Sequence, residues 1–399
     1  MKTAFGVIGA NYGDEGKGRN VDLLCAELGG SHVTVVRSNG GAQAGHTVVA
    51  PDGRRHVFHH VGSGSFTGAG THLSRFFVHH PMTFMDEMED LGQMGVSPSI
   101  SADGRGFVTT PWDMMVNQIV ETARGGTRHG SCGYGFGETV GRNELTPHIL
   151  TLSDLRRRDL VDILIGIRDE WLPARLQQLG VVPDEDSFRA IASDAVLGRF
   201  VEDCRDLYST MSILNDRDIG GNGQVVFEAA QGLLLDQRGR DFPHVTRSNT
   251  GIENMALLAG EAGFGRLEAT YASRCYLTRH GAGPMPDERD LHGIFNIVDP
   301  TNVPNPWQSS IRHGLLDIAE MGRNIRADMG KAPDLEVVSR VAISCLDQVI
   351  GDAVVHMVDG FETRTAVEDF TDVISLSVGA DQAIGFVEAG RRPETALAA

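Results

Sequence analysis

The sequence predicts an α/β protein: a large, mostly parallel central sheet with helices on both faces, carrying helical and loop insertions. Three observations lead there. First, residues 3–9 (TAFGVIG) read as a buried strand ending in glycine, and residues 13–18 form a glycine-rich loop. Residues 19–28 then place apolar side chains at helical spacing, and residues 32–37 (HVTVVR) read as a second strand. A strand, helix and strand in that order argue for parallel pairing. Second, glycine- or acid-bearing loops recur directly after predicted strands, where open α/β sheets bind their ligands. Third, 41% of the 399 residues are hydrophobic, enough for a sizeable core, and 49 are glycine, which lets the backbone approach a ligand closely.

The remaining elements follow in order. Residues 81–95 and 111–122 are expected to be helical, and residues 125–141 form a glycine-dense loop. Residues 152–200 are rich in Leu, Arg and Asp and belong to a helical excursion at about 150–215. A short strand at 224–227 leads into Glu228-Ala229-Ala230-Gln231-Gly232. Residues 267–277 contain another strand, ending at the TRHGAGP stretch of 278–284. A strand at 337–346 carries Asp347 at its C-terminal end, and a last strand is expected at 373–376, ending at Ser377-Val378-Gly379. No repeat or linker interrupts the pattern, so residues 1–399 are expected to form a single domain.

Charge and cysteine content exclude several classes. The formal net charge is −18, which repels a polyphosphate backbone, so nucleic acid is not an expected partner. A small phosphate ligand remains compatible, because a nest of backbone N–H groups outweighs the distant field. Cys25, Cys132, Cys204, Cys275 and Cys345 are odd in number and form no CxxC pair, against a disulfide framework or zinc site. The N-terminus lacks the apolar run of a signal peptide, and no stretch reaches the ~20 apolar residues that span a bilayer. A cytoplasmic protein without a membrane partner is expected.

Two loops carry the chemistry. Gly13-Asp14-Glu15-Gly16-Lys17-Gly18 ends a strand and opens a helix, where free N–H groups and the positive helix end favour phosphate. Lys17 adds a full charge, and Asp14 suits Mg²⁺ binding or proton abstraction. The loop is not a Walker A motif, which requires Gly at the position of Asn11 and Ser or Thr at that of Gly18. After the second strand comes Asn39-Gly40-Gly41-Ala42-Gln43-Ala44-Gly45-His46-Thr47, in which His46 is placed to donate to a transferring phosphoryl group.

GDEGKG followed by GGAQAGHT resembles the adenylosuccinate synthetase family, with its WGDEGKGK and GGxNAGHT. The likeness continues in order. Residues 227–232 (FEAAQG) resemble FEGAQG, residues 242–250 (FPHVTRSNT) resemble YPYVTSSNT, and residues 278–286 (TRHGAGPMP) resemble TRVGAGPFP. Residues 344–347 (SCLD) resemble TKLD, and residues 377–381 (SVGAD) resemble STGPD.

The resemblance implies a ligase. A nucleoside triphosphate phosphorylates the 6-oxygen of a purine nucleotide such as IMP, and the amino group of L-aspartate then displaces phosphate. It implies Mg²⁺, GTP (or ATP or dATP) and a homodimer. Asp14 matches the base for purine N1, His46 the group that assists γ-phosphoryl transfer, and Gln231 the contact to the purine edge. Gly13, Glu15, Gly16, Lys17 and Gly18, with Gly45, His46 and Thr47, match the triphosphate cradle. Asp14 and the Gly45 carbonyl match the metal ligands. Asp347 matches the reader of the guanine edge, with Ser377 and Gly379 lining that base. Ser131 and Cys132 stand where the family has Thr-Thr, Thr246 retains a second phosphate contact, and Gln43 replaces an Asn. Arg142 is the candidate for the arginine that a partner subunit lends to the acceptor phosphate.

The likeness breaks down at the amino-acid donor. The family's arginine-dense TGRRRR loop corresponds to residues 301–317, where Arg312 is the arginine retained, among Asn305, Gln308 and Ser309. Arg312 is therefore the expected donor anchor, with a weaker or re-aimed grip. Two other readings stay open. One is a diverged ligase using dGMP, another purine nucleotide or another amino donor. The other is a non-catalytic nucleotide sensor, against which the retained Asp14, Lys17 and His46 speak.

Overall fold

The structure is a computed structural model that describes residues 1–221, 223–299 and 311–385. Its strands are β1 (Thr3–Gly9), β2 (Val33–Arg37), β3 (His46–Val49), β4 (Arg55–Phe58), β5 (Gly70–Leu73), β6 (Ile100–Ala102), β7 (Ser212–Ile213), β8 (Gln224–Glu228), β9 (Arg266–Arg274), β10 (Tyr276–Arg279), β11 (Arg312–Leu315), β12 (Glu336–Ser344), β13 (Ala353–Val358), β14 (Phe361–Ala366) and β15 (Gln382–Gly385). The helices are α1 (Lys17–Glu27), α2 (Pro81–Gln93), α3 (Pro111–Arg124), α4 (Phe136–Leu145), α5 (Leu160–Gly166), α6 (Leu172–Leu179), α7 (Glu185–Ile191), α8 (Asp194–Thr210), α9 (Glu253–Glu261), α10 (Ile318–Met329) and α11 (Phe370–Val378).

Nine strands form one sheet in the order β15-β12-β9-β1-β8-β2-β5-β6-β7. Every described pairing in it is parallel. Alternation along the strands feeds two cores. Ala4 and Ile8 of β1 and Val36 of β2 join the cluster containing Met255 of α9, Ile325 of α10 and Ile374 of α11. Val7, Val33 and Val35 join Val21 and Cys25 of α1 in another. Successive side chains on one strand thus bury against helices on opposite faces, as the sequence predicts. The excursion is helical too, with α5 to α8 and α3 building a third core around Trp112, Trp171 and Phe200.

Parallel strands put their C-terminal ends on one rim. Gly9, Arg37, Glu228 and Ser344 end neighbouring or near-neighbouring strands there, and the loops that follow them meet.

Four expectations need correction, and the first is that residues 136–141 of the expected loop open α4. Residues 373–376 are not a strand but part of α11. Phe370, Ile374 and Val378 are buried at four-residue spacing while Leu376 is 84% exposed, which is a helical pattern, and the sheet edge is supplied by β15. The strand expected at 267–277 is broken at Cys275 into β9 and β10. Asp347 lies not at a strand end but in a 3₁₀ turn, Leu346–Gln348, entered through Cys345 at φ 65°.

Candidate active site

The first loop is held by its own carboxylate. Glu15 is buried, and its side chain accepts from Asn11 N at 2.7 Å and Gly13 N at 3.2 Å. Asp14 sits at φ 55° between Gly13 at 95° and Gly16 at 81°, a run of left-handed turns that favours glycine on either side. Burial pushes the Glu15 carboxyl up to about 7, although Lys17 and the two N–H groups pull it down. Lys17 opens α1 almost wholly buried; burial lowers its pKa while Glu15, Asp14 and Glu228 oppose that shift. Lys17 and the N-terminus of α1, which no described side chain caps, offer the positive charge and N–H groups that favour a phosphate.

The second loop presents His46. Its Nδ1 lies 2.5 Å from Glu228 Oε1, at the end of β8, and Glu228 also accepts from the Ser63 amide at 3.1 Å and from the Ser63 hydroxyl. Burial drives the His46 pKa down to about 4 against the pull of Glu228; Arg37 and Lys17 lower it further. Glu228 falls to about 2, because His46, Arg37 and the Ser63 hydrogen bond outweigh burial. His46 is therefore neutral at pH 7, with Nδ1–H donating to Glu228. Its Nε2 is buried without a partner among the described residues.

Asp14 faces a second histidine. Its Oδ2 lies 2.7 Å from His280 Nε2, and its backbone carbonyl accepts from Arg274 Nε at 2.5 Å. Burial raises the Asp14 pKa, but the hydrogen bond and charge of His280, with Arg274 and Lys17, more than reverse this and hold it below the usual carboxylate range. Asp14 is ionised at neutral pH, as a base must be.

The third loop closes on the other two. Asn39 donates to Ala230 O at 3.2 Å and accepts from Ala230 N at 2.7 Å. Gln231 stands at φ 60°. Both Gln43 Nε2 and Gln231 Oε1 lie within 4 Å of where a Gly40 Cβ would be. Gln43 Nε2, Gln231 Oε1, Thr47 Oγ1 and His46 Nε2 are all buried without a partner among the described residues. Buried polar atoms are nearly always satisfied, so a cluster of exceptions at one strand rim marks a ligand site. The pair of Gln atoms offers one donor and one acceptor; His46 and Thr47 lie toward the Lys17 loop, with His46 Cβ within 3 Å of where a Gly18 Cβ would be.

Residues 6–328 match the family model for adenylosuccinate synthetase. The chain belongs to the adenylosuccinate synthetase family. It is 32% identical over 296 residues to the Anaeromyxobacter adenylosuccinate synthetase, and 31% over 292 residues to that of Streptomyces griseus, in each case over 71% of this chain. The matched stretch spans 64–65% of those relatives' length. The fully ligated adenylosuccinate synthetase of Plasmodium falciparum shares the fold, with a TM-score of 0.72 at 16% identity over 97% of both chains. So does the cyanophage S-2L succinoaminodeoxyadenylate synthetase bound to dGMP and dATP, with a TM-score of 0.62 at 16% identity over 98% of this chain and 93% of that one.

Asp14, Glu15, Lys17, Gln43, His46, Thr47 and Gln231 are thus brought together at one rim. Asp347 joins them from β12: Ser344 Oγ lies near Gly16, and Asp347 acts on the charge of Arg19 in the first turn of α1. Ser131 accepts from Asn117 Nδ2 at 2.8 Å, and burial pushes the Cys132 thiol up. Glu228 and His280 went unassigned in the sequence although both stand inside family-like motifs. The signal for Glu228 was an acid ending a strand beside a loop histidine. The signal for His280 was a titratable residue where the family pattern has Val.

Other predicted site residues lie elsewhere. Arg142 is fully buried and paired with Asp113 through Nε and Nη2 at 2.9 Å each, and its remaining donors reach His148 O and Val108 O. Held inside its own chain, it is not an arginine that enters a neighbour's site. Ser377 and Gly379 precede β15, which runs parallel to β12 with Gln382 beside Arg340. They therefore lie at the opposite end of β12 from Asp347, and the Ser377 hydroxyl bonds Ile318 O at 3.3 Å instead. Arg312 spends its guanidinium on Gly281 O, Gly283 O and the Glu288 carboxylate, so it clamps the 281–284 turn rather than facing a donor. Asn305, Gln308 and Ser309 lie outside the described residues.

Proposed function

We propose that the chain is a ligase that phosphorylates the 6-oxygen of a purine nucleotide from a nucleoside triphosphate and replaces that phosphate with the amino group of an amino acid, L-aspartate in the family's pattern. One observation carries this reading: a base, a His–carboxylate pair and a caged lysine surround a cluster of orphaned buried polar atoms at the ends of β1, β2 and β8. Asp14 removes the purine N1 proton, which makes the 6-oxygen nucleophilic. Gln231 and Gln43 hold the purine edge with the donor and acceptor they leave unused. Lys17 and the amides of the loop from Glu15 to Gly18 hold the triphosphate. An incoming triphosphate adds negative charge beside His46, and with Glu228 behind it the ring takes a second proton. Nε2–H then donates to the transferring group.

Mg²⁺ suits the donor set. Asp14 offers a partly exposed carboxylate and Gly45 a backbone carbonyl, both hard oxygens. Among the described residues no group of three His, Cys, Asp or Glu could hold a metal ion. Bound by Asp14 and the Gly45 carbonyl, Mg²⁺ would supply positive charge to the transferring phosphoryl group. Asp347 favours GTP, since a carboxylate accepts from both N1–H and N2–H of guanine; ATP and dATP are the competing donors.

A phosphate-release screen tests the reading: IMP, GMP and dGMP against GTP, ATP and dATP, with each amino acid. Release that requires all three reactants, with an N6-substituted purine nucleotide as product, supports it. Release that ignores the amino acid, or absence of release in every combination, overturns it.

A further inference from the structure

With Arg142 locked to Asp113, the acceptor phosphate needs another guanidinium. We propose that Arg247 holds it from within the same chain, so that the phosphate subsite is completed without an arginine from a second copy. The proposal rests on the ligase reading above.

Arg247 follows Thr246 directly, at a position where the resembled motif has Ser. It is exposed, and among the described residues no carboxylate or carbonyl engages it. Most arginines of this acidic chain are paired, so an unpaired one beside an expected phosphate contact stands out. Its guanidinium is nonetheless placed. Nη1 and Cζ lie 3.1 and 3.7 Å from where a Cβ on Gly141 would be, and they are the atoms that fill that space. Gly141 lies inside α4 without a left-handed φ, so its conformation does not require glycine. Glycine there costs about 0.5–1 kcal/mol against Ala, and what it provides is room for the guanidinium.

The surroundings suit a phosphate monoester. The loop before α4 carries Ser131, and the guanidinium lies against the middle of that helix at Gly141. That loop packs on its neighbours: Ala282 N donates to His129 O at 3.0 Å, and the His129 and His244 rings are 4.9 Å apart. His244 keeps a buried Nδ1 without a partner among the described residues. The nearby carboxylates are already engaged, Asp241 by Arg279, Glu138 by Arg175 and Glu121 by Arg124. Thr246 and Ser131, which the resemblance assigns to the phosphate, and a guanidinium that no described carboxylate engages would suit a dianion, since a planar fork grips phosphate with two parallel hydrogen bonds.

Calorimetric binding of IMP and of inosine, which lacks only the phosphate, tests this. The wild-type protein should prefer IMP. Arg247→Ala should weaken IMP by ~10–100-fold, the scale of a lost charged hydrogen bond, and leave inosine unchanged. Arg247→Lys, which keeps the charge but not the fork, should fall between. An Arg247→Ala protein that keeps the full preference overturns the proposal and leaves the ligase reading intact. A wild-type protein that prefers none of IMP, GMP and dGMP over its nucleoside overturns both. A second arm separates cis from trans. Chains bearing Arg247→Ala mixed with chains bearing Asp14→Ala should gain no turnover, because each site then lacks one group. Restored turnover means that the arginine crosses between subunits, and the proposal fails.

Discussion

Replacing Glu228 with Gln removes one negative charge and almost no volume. In the free protein the change is mild at His46, since an amide oxygen still accepts from Nδ1–H. It matters once Nε2 must donate, because the ring must then be an imidazolium, and Glu228 is its counter-charge at 2.5 Å. Two unit charges ~4 Å apart at an effective dielectric of ~20 interact by about 4 kcal/mol. A charged hydrogen bond is worth about 1.5–3 kcal/mol against 0.5–1.5 for a neutral one. Solvent and Lys17 offset part of the Coulomb figure, so a loss of about 1–3 kcal/mol in the phosphoryl-transfer barrier is expected. That is roughly 5–150-fold in kcat. The assay is single-turnover phosphate release at saturating substrates, run beside a urea melt, because the Ser63 amide also loses its acceptor. Nitrogen chemical shifts should find His46 protonated at Nδ1 in the free protein and at both nitrogens with the triphosphate bound. A Glu228→Gln enzyme with wild-type kcat, or a free His46 carrying its proton on Nε2, refutes the reasoning.

Other substitutions separate chemistry from scaffold. Asp14→Ala and His46→Ala should fold, with unaltered circular dichroism, and lose ~10²–10⁴-fold in turnover; a variant near the wild-type rate removes that residue from the mechanism. Arg142→Ala strands Asp113 as an uncompensated buried charge, so urea unfolding should register a loss of about 3–5 kcal/mol. Acid should destabilise the protein through His79 and His80, whose pKa values burial drives to about 3. Between pH 6.5 and 3 the unfolded chain binds these protons and the folded chain does not, so stability falls as pH falls, by about 1.4 kcal/mol per pH unit per histidine. Chemical unfolding of His79→Phe across that range should give a shallower slope, and an identical slope clears His79.

What the sequence made legible was local. The strand–loop–helix start and the GDEGKG loop depend on residues a few positions apart, and Asp14, Lys17 and His46 lie where such loops must fall. Glu228 and Asn39 needed the sheet order, since β8 inserts between β1 and β2 from nearly 200 positions away. The resemblance alone points to Arg142 as an arginine lent to a neighbour, and no periodicity announces that Asp113, 29 residues earlier, will bury it. Ser377 and Gly379 were misread through direction. A short apolar stretch reads equally as strand or helix. Taken as a strand, it moved the residues after it to the wrong end of the sheet.

Two parts of the site therefore stand on different footing. The phosphoryl part is interlocked: Glu15 folds the first loop, Asn39 ties the second to the third, and Glu228 joins His46 to Ser63. Substituting any of these breaks a buried contact that holds the loops together. The turn after His280 is held otherwise. Arg312 clamps carbonyls of the 281–284 turn, the turn that follows His280 and so sets the face of Asp14. Its loss should thus act through the base, lowering kcat by loosening that turn, and not through the KM for the amino acid alone. A rise confined to the amino-acid KM would put Arg312 back on the donor. A matched fall in kcat and kcat/KM would make it a brace for the site that Asp14 serves.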